Sequence, residues 1–324
     1  MKKTVMITGV AGFIGSYLCD KLLEKGYMVY GLDNLVFGKL STVSHNFKNK
    51  NFKFLQIDIM DKKKLNSLKN KFDYVLHLAA FKKNSDKKLW LKTLNINVRG
   101  TENILQLAVK NSARFIFAST SDIYGSSNEL PFNETSDVVI GSGRIPRWSY
   151  AISKLMAEHL IHSYGASFDL KYVILRYFGA YGGRARSHWS GGHIPIFIKS
   201  AIDKKHLVIH GDGKQTRSMA YISDIITGTV LAMENNKVYG QIINIGNDEE
   251  ISVINSARII WNKINHNKKA KLKFKEIKKE FGLYEEIKRR IPDLGKAKKL
   301  IGYEPKISFS QGIDLLLKDL ERNR

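Results

Sequence analysis

The chain has 324 residues, of which 43% are hydrophobic, and it carries a formal net charge of +23 at pH 7. This length supports one large domain with a satellite lobe, or two domains. The single cysteine, Cys19, excludes an intramolecular disulfide, and no apolar run reaches the ~20 residues of a membrane span.

The positive charge is spread along the whole chain. No basic block is interleaved with aromatic residues as in a single-strand nucleic-acid binder, so we expect no nucleic-acid partner. The cysteine and histidines lack zinc-ligand spacing, so no metal site is expected. Because the first apolar run begins almost at Met1, we expect no signal peptide and a cytoplasmic protein.

Short apolar runs alternate with helical patterns in the first half of the chain. Strands are predicted at 4–8, 28–32, 52–57, 74–77, 114–119 and 171–176. Helices are predicted at 13–25, 65–69, 89–110 and 150–164. This alternation predicts an α/β fold, a Rossmann-type doubly wound parallel sheet covered on both faces.

The pattern loosens after residue 176. Helices are predicted at 194–202 and 222–233, and a strand at 241–245 is expected to rejoin the main sheet. We therefore assign residues 1–176 to a nucleotide-binding domain and residues 177–324 mainly to a smaller, substrate-binding C-terminal lobe.

A glycine-rich turn, "ITGVAGFIG", follows the first predicted strand and opens the first predicted helix. Gly9, Gly12 and Gly15 let the backbone turn tightly and approach a pyrophosphate at the helix N-terminus, where Phe13 and Ile14 stand. The spacing is G-x-x-G-x-x-G. Its place between a strand and a helix makes the turn a strong sign of a dinucleotide site.

Acidic residues end the next two strands. Asp33 is placed to accept hydrogen bonds from the adenosine ribose and would repel a 2′-phosphate, so NAD is predicted rather than NADP. Asp58 is a candidate adenine contact. His77 is interpreted as a packed histidine at a strand end rather than as a catalyst.

The segment "YAISK" places Tyr150 and Lys154 four residues apart, on one face of a helix. A lysine ammonium beside a phenol favours the phenolate and is expected to lower its pKa from ~10. Tyr150 then becomes a candidate general base near neutral pH.

These features together resemble the extended short-chain dehydrogenase/reductase family of NAD-dependent nucleotide-sugar epimerases and dehydratases. The matching segments run almost end to end: "TGVAGFIG", "DN" at 33–34, "DI" at 58–59, "HLAA", "NVRGT", "STSDIYG", "YAISK", "LRYFGAYG", "HGDGKQTRSMAYISD", "NIG" and "KAKKLIGYEPKIS". The cofactor-binding residues that the resemblance adds are Asn34, Asp58, Ile59, Leu78, Ala79, Ala80, Lys82 and Asn97.

The resemblance implies that Tyr150 removes a proton from the sugar 4-hydroxyl while hydride passes from C4 to NAD. Thr120 would bond the same oxygen, and Lys154 would tune Tyr150 and hold the nicotinamide ribose. The 4-keto sugar is then a branch point. Hydride returns to the other face in an epimerase, water is eliminated in a dehydratase, and a C5 carboxylate leaves in a decarboxylase.

The tip "STSDIYG" bears on this choice. The 4,6-dehydratases carry Asp and Glu after the Thr, whereas Ser121 follows Thr120 here, which disfavours a dehydratase. The tip and "PRWSYAISK" resemble UDP-glucuronate decarboxylases, which carry Glu where Asp122 stands. "RRIP" matches their segment with a catalytic arginine, at Arg290. The alternative role of Arg290 is to grip the diphosphate.

The segment "HLAAFK" instead resembles the UDP-galactose 4-epimerases, which carry a lysine where Lys82 stands. The interpretation of Lys82 as a surface lysine has equal weight. Because epimerisation needs only Tyr150, Lys154 and Thr120, we predict a nucleotide-diphosphate-sugar 4-epimerase that uses a UDP-sugar. A UDP-glucuronate decarboxylase is the alternative, and a uronate 4-epimerase lies between the two patterns.

On the substrate side, the resemblance assigns the diphosphate to Arg217. Gly179 replaces the family's usual Asn, so one substrate contact is missing or supplied elsewhere. The loop "RARSHWSGGH" is hypothesised to close over the sugar, with His188, Trp189 and His193 as possible contacts. Family members often dimerise through two helices, here around 96–110 and 150–163, so a homodimer is expected.

Two non-enzymatic readings are minor. An NAD-sensing scaffold would be expected to have lost Tyr150, Lys154 or Thr120, and all three are present. A nucleic-acid binder would not need the Tyr/Lys pair and would show steep salt dependence.

Overall fold

The structure, a computed structural model, describes residues 2–82, 87–185, 192–266, 269–277, 279 and 283–322. Its first part contains β1 (Thr4–Thr8), α1 (Phe13–Glu24), β2 (Met28–Leu32), β3 (Phe52–Leu55), α2 (Lys62–Asn66), β4 (Tyr74–His77), α3 (Trp90–Leu94), a π-helical stretch (Asn95–Gly100), α4 (Thr101–Asn111), β5 (Arg114–Thr120), α5 (Trp148–Phe168) and β6 (Tyr172–Tyr177). Its second part contains β7 (Gly179–Tyr181), α6 (His193–Ile202), β8 (Leu207–His210), β9 (Thr216–Tyr221), α7 (Ile222–Glu234), β10 (Gln241–Ile245), β11 (Glu250–Ser252), α8 (Val253–Asn265), β12 (Leu272–Lys275), α9 (Gly295–Ile301) and α10 (Phe309–Arg322).

A parallel sheet of seven strands forms the centre, in the order β10-β6-β5-β4-β1-β2-β3. This confirms the predicted doubly wound, Rossmann-type α/β fold. The strand order reverses between β1 and β4, and such a switch point opens a crevice at the carboxyl edge of the sheet. β10 follows residue 176 in sequence yet pairs with β6, so the main sheet draws on both parts of the chain. The division into two domains stays a prediction.

The strands are buried on both faces because successive side chains alternate between two cores. Val5 and Ile7 of β1 pack into one core with Leu18 of α1, whereas Met6 packs into the other with Ile104 of α4. Each such fully buried aliphatic side chain stabilises the fold by roughly 1.5–3 kcal/mol. This two-sided burial explains why the strands read as nearly continuous apolar runs.

Three predicted helices differ from the structure, and the one predicted at 150–164 spans Trp148–Phe168. The helix predicted at 65–69 lies at Lys62–Asn66, because the Asp61 side chain accepts from Lys64 N at 3.0 Å and fixes an earlier start. The helix predicted at 89–110 is helical over 90–111, but residues 95–100 widen into a π-helical turn. Within the described residues, no helix is both long and apolar enough to cross a bilayer.

Candidate active site

The glycine-rich turn lies at the carboxyl edge, against the loop that follows β4. Gly9 has φ +74°, and a Cβ there would lie 2.9 Å from Ala79 N. A Cβ on Gly15 would collide with the carbonyl oxygen of Gly9. Both positions therefore require glycine, the first for its left-handed backbone and the second for the close packing of α1 on the turn.

The start of α1 is suited to bind an anion. Gly12, its N-cap, supplies no side chain to cap the helix. The first main-chain N–H groups, those of Phe13 and Ile14, therefore stand at the positive end of the helix dipole, where a phosphate is stabilised. The residues present fit the pyrophosphate of a dinucleotide.

Asp33 is buried at the end of β2 and is not a solvated turn residue. Its two carboxylate oxygens accept from Ala11 N at 3.0 Å and Leu35 N at 2.8 Å, which ties the glycine-rich turn to β2. A carboxylate offers about four lone-pair sites, so these bonds are compatible with further bonds to ribose hydroxyls.

The neighbouring strand ends carry the other predicted cofactor residues. Asn34 Nδ2 donates to Asp58 Oδ2 at 2.8 Å, which links the ends of β2 and β3. Ile59 is buried in the core that also contains Ile104 of α4. Each of these residues lies at the same edge as Asp33, and their contact with the cofactor stays a prediction.

Leu78, Ala79 and Ala80 form the loop after β4 that packs beside Gly9. Asn97 braces the end of this loop, because it exchanges two hydrogen bonds with the main chain of Phe81, at 2.7 and 3.0 Å. Its amide also donates to Ser153 Oγ on α5 at 2.9 Å. The side chain of Asn97 thus connects the loop to the helix that carries Tyr150 and Lys154.

His77 is fully buried at the end of β4, as the sequence predicted for a packed histidine. Its ring nitrogens lie 2.7 Å from Thr8 Oγ1 and 3.0 Å from Thr101 Oγ1. Burial, and then the charge of Lys154, lower the pKa of His77 well below its ordinary value. A neutral ring held by two hydroxyls is a structural element, not an acid or base for the site.

Tyr150 and Lys154 both lie on α5 beside the tip of β5, but they do not interact as predicted. Lys154 Nζ donates to the Ala118 carbonyl at 2.7 Å and lies 4.3 Å from the centre of the Phe117 ring. Burial raises the pKa of Tyr150, and the Asp122 carboxylate raises it further. The expectation that Lys154 lowers the pKa of Tyr150 is therefore wrong for this arrangement, since the ammonium is committed to β5.

Lys154 is itself strongly affected by its surroundings. It is 2% exposed, and burial lowers its pKa to about 7, with Glu158 opposing and Lys82 adding to the effect. The folded protein therefore binds fewer protons than the unfolded chain between pH ~7 and the ordinary lysine value of ~10.4. Stability rises with pH across that window, and the full cost of burying Lys154 is present below pH ~7.

We expect Lys154→Met to stabilise the fold while abolishing activity. At pH 7 the free energy of unfolding should rise by about 2–3 kcal/mol, because a buried ammonium is replaced by an apolar chain of similar length. Denaturant unfolding at pH 7, 8 and 9 measures the gain, which should shrink as the pH rises. A gain that does not depend on pH would contradict the argument.

Asp122 is the centre of a cationic cluster at the tip of β5. Its Oδ2 accepts from Lys82 Nζ at 2.9 Å, and its Oδ1 accepts from Arg290 Nη1. Burial alone would raise the pKa of Asp122, but Lys82, Arg290 and Arg147 outweigh it and hold the pKa well below its ordinary value. Asp122 is therefore an anion at neutral pH and not a proton donor.

Lys82 connects this cluster to Tyr150, the predicted acid–base residue. Its ammonium forms an ion pair with Asp122 and lies 4.7 Å from the centre of the Tyr150 ring. Thr120, the third predicted catalytic residue, accepts from Asp122 N at 3.1 Å. The structure thus brings Lys82 and Tyr150 to Thr120 and Asp122, although Lys82 and Tyr150 are far from that tip in sequence.

A buried ion pair lies beneath the tip. Arg176 of β6 donates to both oxygens of Glu158, at 3.2 and 2.8 Å, and Ser119 donates to the same carboxylate. The Glu158 and Arg176 side chains are 3% and 6% exposed. Because Glu158 lies one turn after Lys154, these bonds fix α5 against β6 through Arg176 and against β5, which carries Thr120, through Ser119.

Arg217, the predicted diphosphate ligand, lies on β9 near Arg290. Its Nη1 donates to the carbonyls of Thr216 and Ile287, at 2.6 and 2.8 Å, and its Nη2 donates to Glu286 at 2.6 Å. Ser218 N donates to the Arg290 carbonyl at 3.2 Å, which places the two arginines on adjacent segments.

The packing around Gly179 explains why a glycine stands where the family usually has Asn. A Cβ there would lie 2.5 Å from Met219 Sδ and 2.9 Å from the Ser218 carbonyl. No side chain fits without moving β9, so Gly179 serves the packing of β7 on β9, and a substrate contact from this position is limited to its main chain.

Of the three loop residues proposed to touch the sugar, only His193 lies within the described residues; His188 and Trp189 fall outside them. His193 is committed to the protein, with Nε2 3.1 Å from Ser256 Oγ. Burial, and then Arg217, lower its pKa to about 3. No cluster of metal-ligating side chains was found among the described residues.

Sequence reasoning missed several residues of the site: Arg147, Glu158, Arg176, Glu285 and Glu286. Two of them carried a signal. Glu158 stands four residues after Lys154, on the same helix face, and Arg176 is a charged residue in an otherwise apolar strand, which predicts a buried partner. Arg147 directly precedes α5. Glu285 and Glu286 lie on a loop whose position cannot be predicted from the sequence.

Comparison with known proteins shows the family of the chain. The family described as GDP-mannose 4,6 dehydratase matches residues 6–316. A UDP-N-acetyl-alpha-D-glucosaminuronate decarboxylase of Bacillus cytotoxicus is 39% identical over 317 residues, 97% of this chain and 96% of that protein. UDP-glucuronic acid decarboxylase 4 of Arabidopsis thaliana is 34% identical over 324 residues, 98% of this chain and 68% of that protein.

Among solved structures, the UDP-glucuronic acid 4-epimerase of Bacillus cereus, in complex with UDP-glucuronic acid and NAD, is similar with a TM-score of 0.87. It is 32% identical, and the match covers 99% of this chain and 100% of that one. The two sequence relatives are decarboxylases and the solved structure is an epimerase. The comparisons therefore agree on nucleotide-sugar chemistry and differ on its product.

Proposed function

The chain belongs to the extended short-chain dehydrogenases/reductases of the GDP-mannose 4,6 dehydratase type, and on that premise we propose that it oxidises a UDP-uronate at C4 and releases its C5 carboxylate as carbon dioxide. It is an NAD-dependent enzyme of the nucleotide-sugar epimerase and decarboxylase group. The substrate and the product are the proposal.

One observation carries the substrate class. Lys82, Arg290 and Arg147 act together on the single carboxylate of Asp122. Three cations around one anion leave a net positive charge. Arg290 is 14% exposed and Lys82 is 40% exposed, so solvent screens this charge only in part and it favours a second anion. The carboxylate of a uronate bound next to Tyr150 would supply this second anion. The hydroxymethyl group of UDP-glucose is neutral and would leave the positive charge without a partner.

The glycine-rich turn, the start of α1 and Asp33 are the residues that would hold NAD. Bound NAD supplies the hydride acceptor and donor for C4 of the sugar. Tyr150 is proposed to act as the phenolate that accepts the proton of the 4-hydroxyl and later returns it, and the Thr120 hydroxyl to bond the same oxygen. Because burial and Asp122 raise the pKa of Tyr150 in the free protein, this role requires the phenol to lose its proton once the substrate and the cofactor are bound. Lys154, whose ammonium is held by the Ala118 carbonyl, lies one turn further along α5. Arg217 is proposed to bind the diphosphate, because a guanidinium pairs well with phosphate oxygens.

The carboxylate determines the step after oxidation. A uronate with a ketone at C4 is a β-keto acid, in which the C5–C6 bond breaks readily and its electron pair moves into an enolate on the C4 oxygen. The Tyr150 and Thr120 hydroxyls are the groups proposed to stabilise that oxygen. A proton from water then adds to C5 and completes the replacement of the carboxylate by hydrogen. Asp122, an anion, holds Lys82 and Arg290 in place rather than supplying this proton.

The 4-epimerase predicted from the sequence is the second candidate, now with a uronate substrate. Tyr150, Lys154 and Thr120 suffice for it, and the similar Bacillus cereus enzyme is a UDP-glucuronic acid 4-epimerase. An epimerase acting on a uronate has to return hydride before the carboxylate leaves.

A product assay tests the proposal. Purified protein is incubated separately with UDP-glucuronate, UDP-N-acetylglucosaminuronate, UDP-glucose and UDP-N-acetylglucosamine, with and without added NAD, and the products are followed by NMR and mass spectrometry. Carbon dioxide loss from a uronate is expected. Unchanged mass with inverted C4 would replace the decarboxylase by the 4-epimerase. Turnover of the neutral sugars alone would refute the uronate substrate.

We also propose that the protein is a homodimer, through helices α3 and α5. Leu91 is 68% exposed on α3, and Ile152 and Met156 are 39% and 49% exposed on α5. These two helices pack on each other, and exposed apolar side chains on neighbouring helices are suited to a partner. The cytoplasmic location expected from the sequence stays a prediction.

The double variant Ile152→Asp/Met156→Asp is expected to be monomeric, because two charges per subunit would be buried unpaired in the interface. Light scattering after size-exclusion chromatography measures the mass. Leu315→Asp, which charges an exposed apolar residue on α10, is the matched control and should leave the dimer intact. A wild-type monomer would refute the dimer itself.

A further inference from the structure

The segment 284–287 crosses in front of Arg217 and carries two adjacent carboxylates. Glu285 accepts from Trp148 Nε1 at 3.2 Å, and its carbonyl accepts from Arg147. Glu286 accepts from Arg217 Nη2 at 2.6 Å. Two neighbouring acidic residues thus have different partners, and one of them holds the arginine to which the proposed function assigns the diphosphate.

The guanidinium of Arg217 has few donors to spare. Nη1 donates to the main-chain carbonyls of Thr216 and Ile287 and so is committed to the fold. An incoming anion must therefore bind through Nη2 and Nε, the edge that presents two parallel N–H groups to an oxyanion. Glu286 already accepts from Nη2.

The charges around Arg217 explain why an acidic residue stands there. Burial, and then the neighbouring Arg290, lower the pKa of Arg217, and Glu286 opposes this effect. The Arg217 and Glu286 side chains are 19% and 25% exposed, so solvent screens the pair only in part. A second anion arriving at Arg217 would be repelled by Glu286 for as long as the pair remained closed.

We propose that Glu286 is an internal competitor for Arg217: its carboxylate occupies the edge of the guanidinium that the substrate diphosphate needs, and substrate binding exchanges one anion for the other. This inference rests on the proposed function, because it takes Arg217 as the diphosphate ligand. The exchange releases Glu286 and with it one tie of the segment 284–287, which couples nucleotide binding to the segment that leads to Arg290.

Removal of the competing charge should tighten nucleotide binding. Glu286→Gln keeps the size of the side chain and an oxygen that accepts from Arg217, but it removes the charge. We expect the Kd for UDP, measured by titration calorimetry on the NAD-loaded protein, to fall about fivefold. Because the expected change is a gain, misfolding of the variant does not imitate it.

Glu285→Gln is the matched control, since it removes one negative charge from the adjacent position and keeps an acceptor for Trp148. Its Kd should change less than twofold. A Kd that is unchanged or raised by Glu286→Gln, or lowered equally by Glu285→Gln, would overturn the inference.

Arg217→Gln separates this failure from failure of the proposed function. If Arg217 binds the diphosphate, Arg217→Gln weakens UDP binding, and adding Glu286→Gln to it gives no further gain. If UDP does not bind the wild-type protein, or binds equally well to Arg217→Gln, the proposed role of Arg217 fails, and the inference fails with it.

Discussion

Replacement of Tyr150 by phenylalanine is expected to lower the rate of product formation by about 10³-fold, whichever UDP-sugar proves to be the substrate. The phenol is the group placed to exchange a proton with the sugar 4-hydroxyl. Burial and the Asp122 carboxylate raise its pKa, so the phenol holds its proton strongly in the free protein. Single-turnover assays with saturating substrate measure the change.

The control is Tyr303→Phe, which removes the hydroxyl of another buried tyrosine. That hydroxyl donates to the Gly246 carbonyl at 2.6 Å, away from Tyr150. Tyr303→Phe should lose some stability and keep its rate, whereas Tyr150→Phe should keep bound NAD and lose its rate. Retention of more than a tenth of the wild-type rate by Tyr150→Phe would rule out Tyr150 as the acid–base group.

Replacement of Asp122 by asparagine is expected to lower kcat for carbon dioxide release by about 100-fold, because Lys82 and Arg290 lose the anion that positions them and misplacement of such groups by ~1 Å has an effect of this size. The KM for the uronate should not rise, since a negative charge is removed from an anion-binding site. Measurement of kcat and KM separately therefore distinguishes a positioning role from general damage.

Asp122→Glu is the matched variant, because it keeps the charge and lengthens the side chain by one methylene. Glutamate is also the residue at this position in the decarboxylases that the tip resembles. It should retain most of the rate. If Asp122→Asn leaves carbon dioxide release intact, the proposed role of Asp122 is wrong. If it leaves C4 inversion intact and no carbon dioxide is released by either protein, the 4-epimerase is the better reading.

The stability of Asp122→Asn gives a second check through pH. The folded-state pKa of Asp122 lies well below the unfolded value, so its ion pairs stabilise the fold fully above pH ~4 and are lost as the pH falls through the folded value. The variant should therefore be less stable than the wild type at pH 7, and the difference should shrink below pH ~4.

The local features of the nucleotide site could be predicted from the sequence because each depends on residues close together in the chain. Gly9 and Gly15 mark a turn in which a Cβ collides, and Asp33 follows an apolar strand at a fixed distance from them. Strand and helix patterns specify their own neighbours through hydrophobic periodicity. Parallel strands then bring their carboxyl ends to one edge, so the approximate place of Thr120 also follows.

The tertiary structure decided which charges meet. Lys82, Asp122 and Arg290 lie on three separate loops, and their pairing depends on how the loops pack, which no local pattern specifies. The same holds for Lys154: its spacing from Tyr150 predicted a phenol–ammonium pair, yet the ammonium bonds the Ala118 carbonyl because burial makes a strong acceptor necessary. The sequence by itself determined the fold and the glycine-rich turn that is proposed to bind the nucleotide, through short-range geometry. Long-range packing decided the electrostatics of the reaction site, because a charge in a low-dielectric interior responds to every charged neighbour, whatever its distance along the chain.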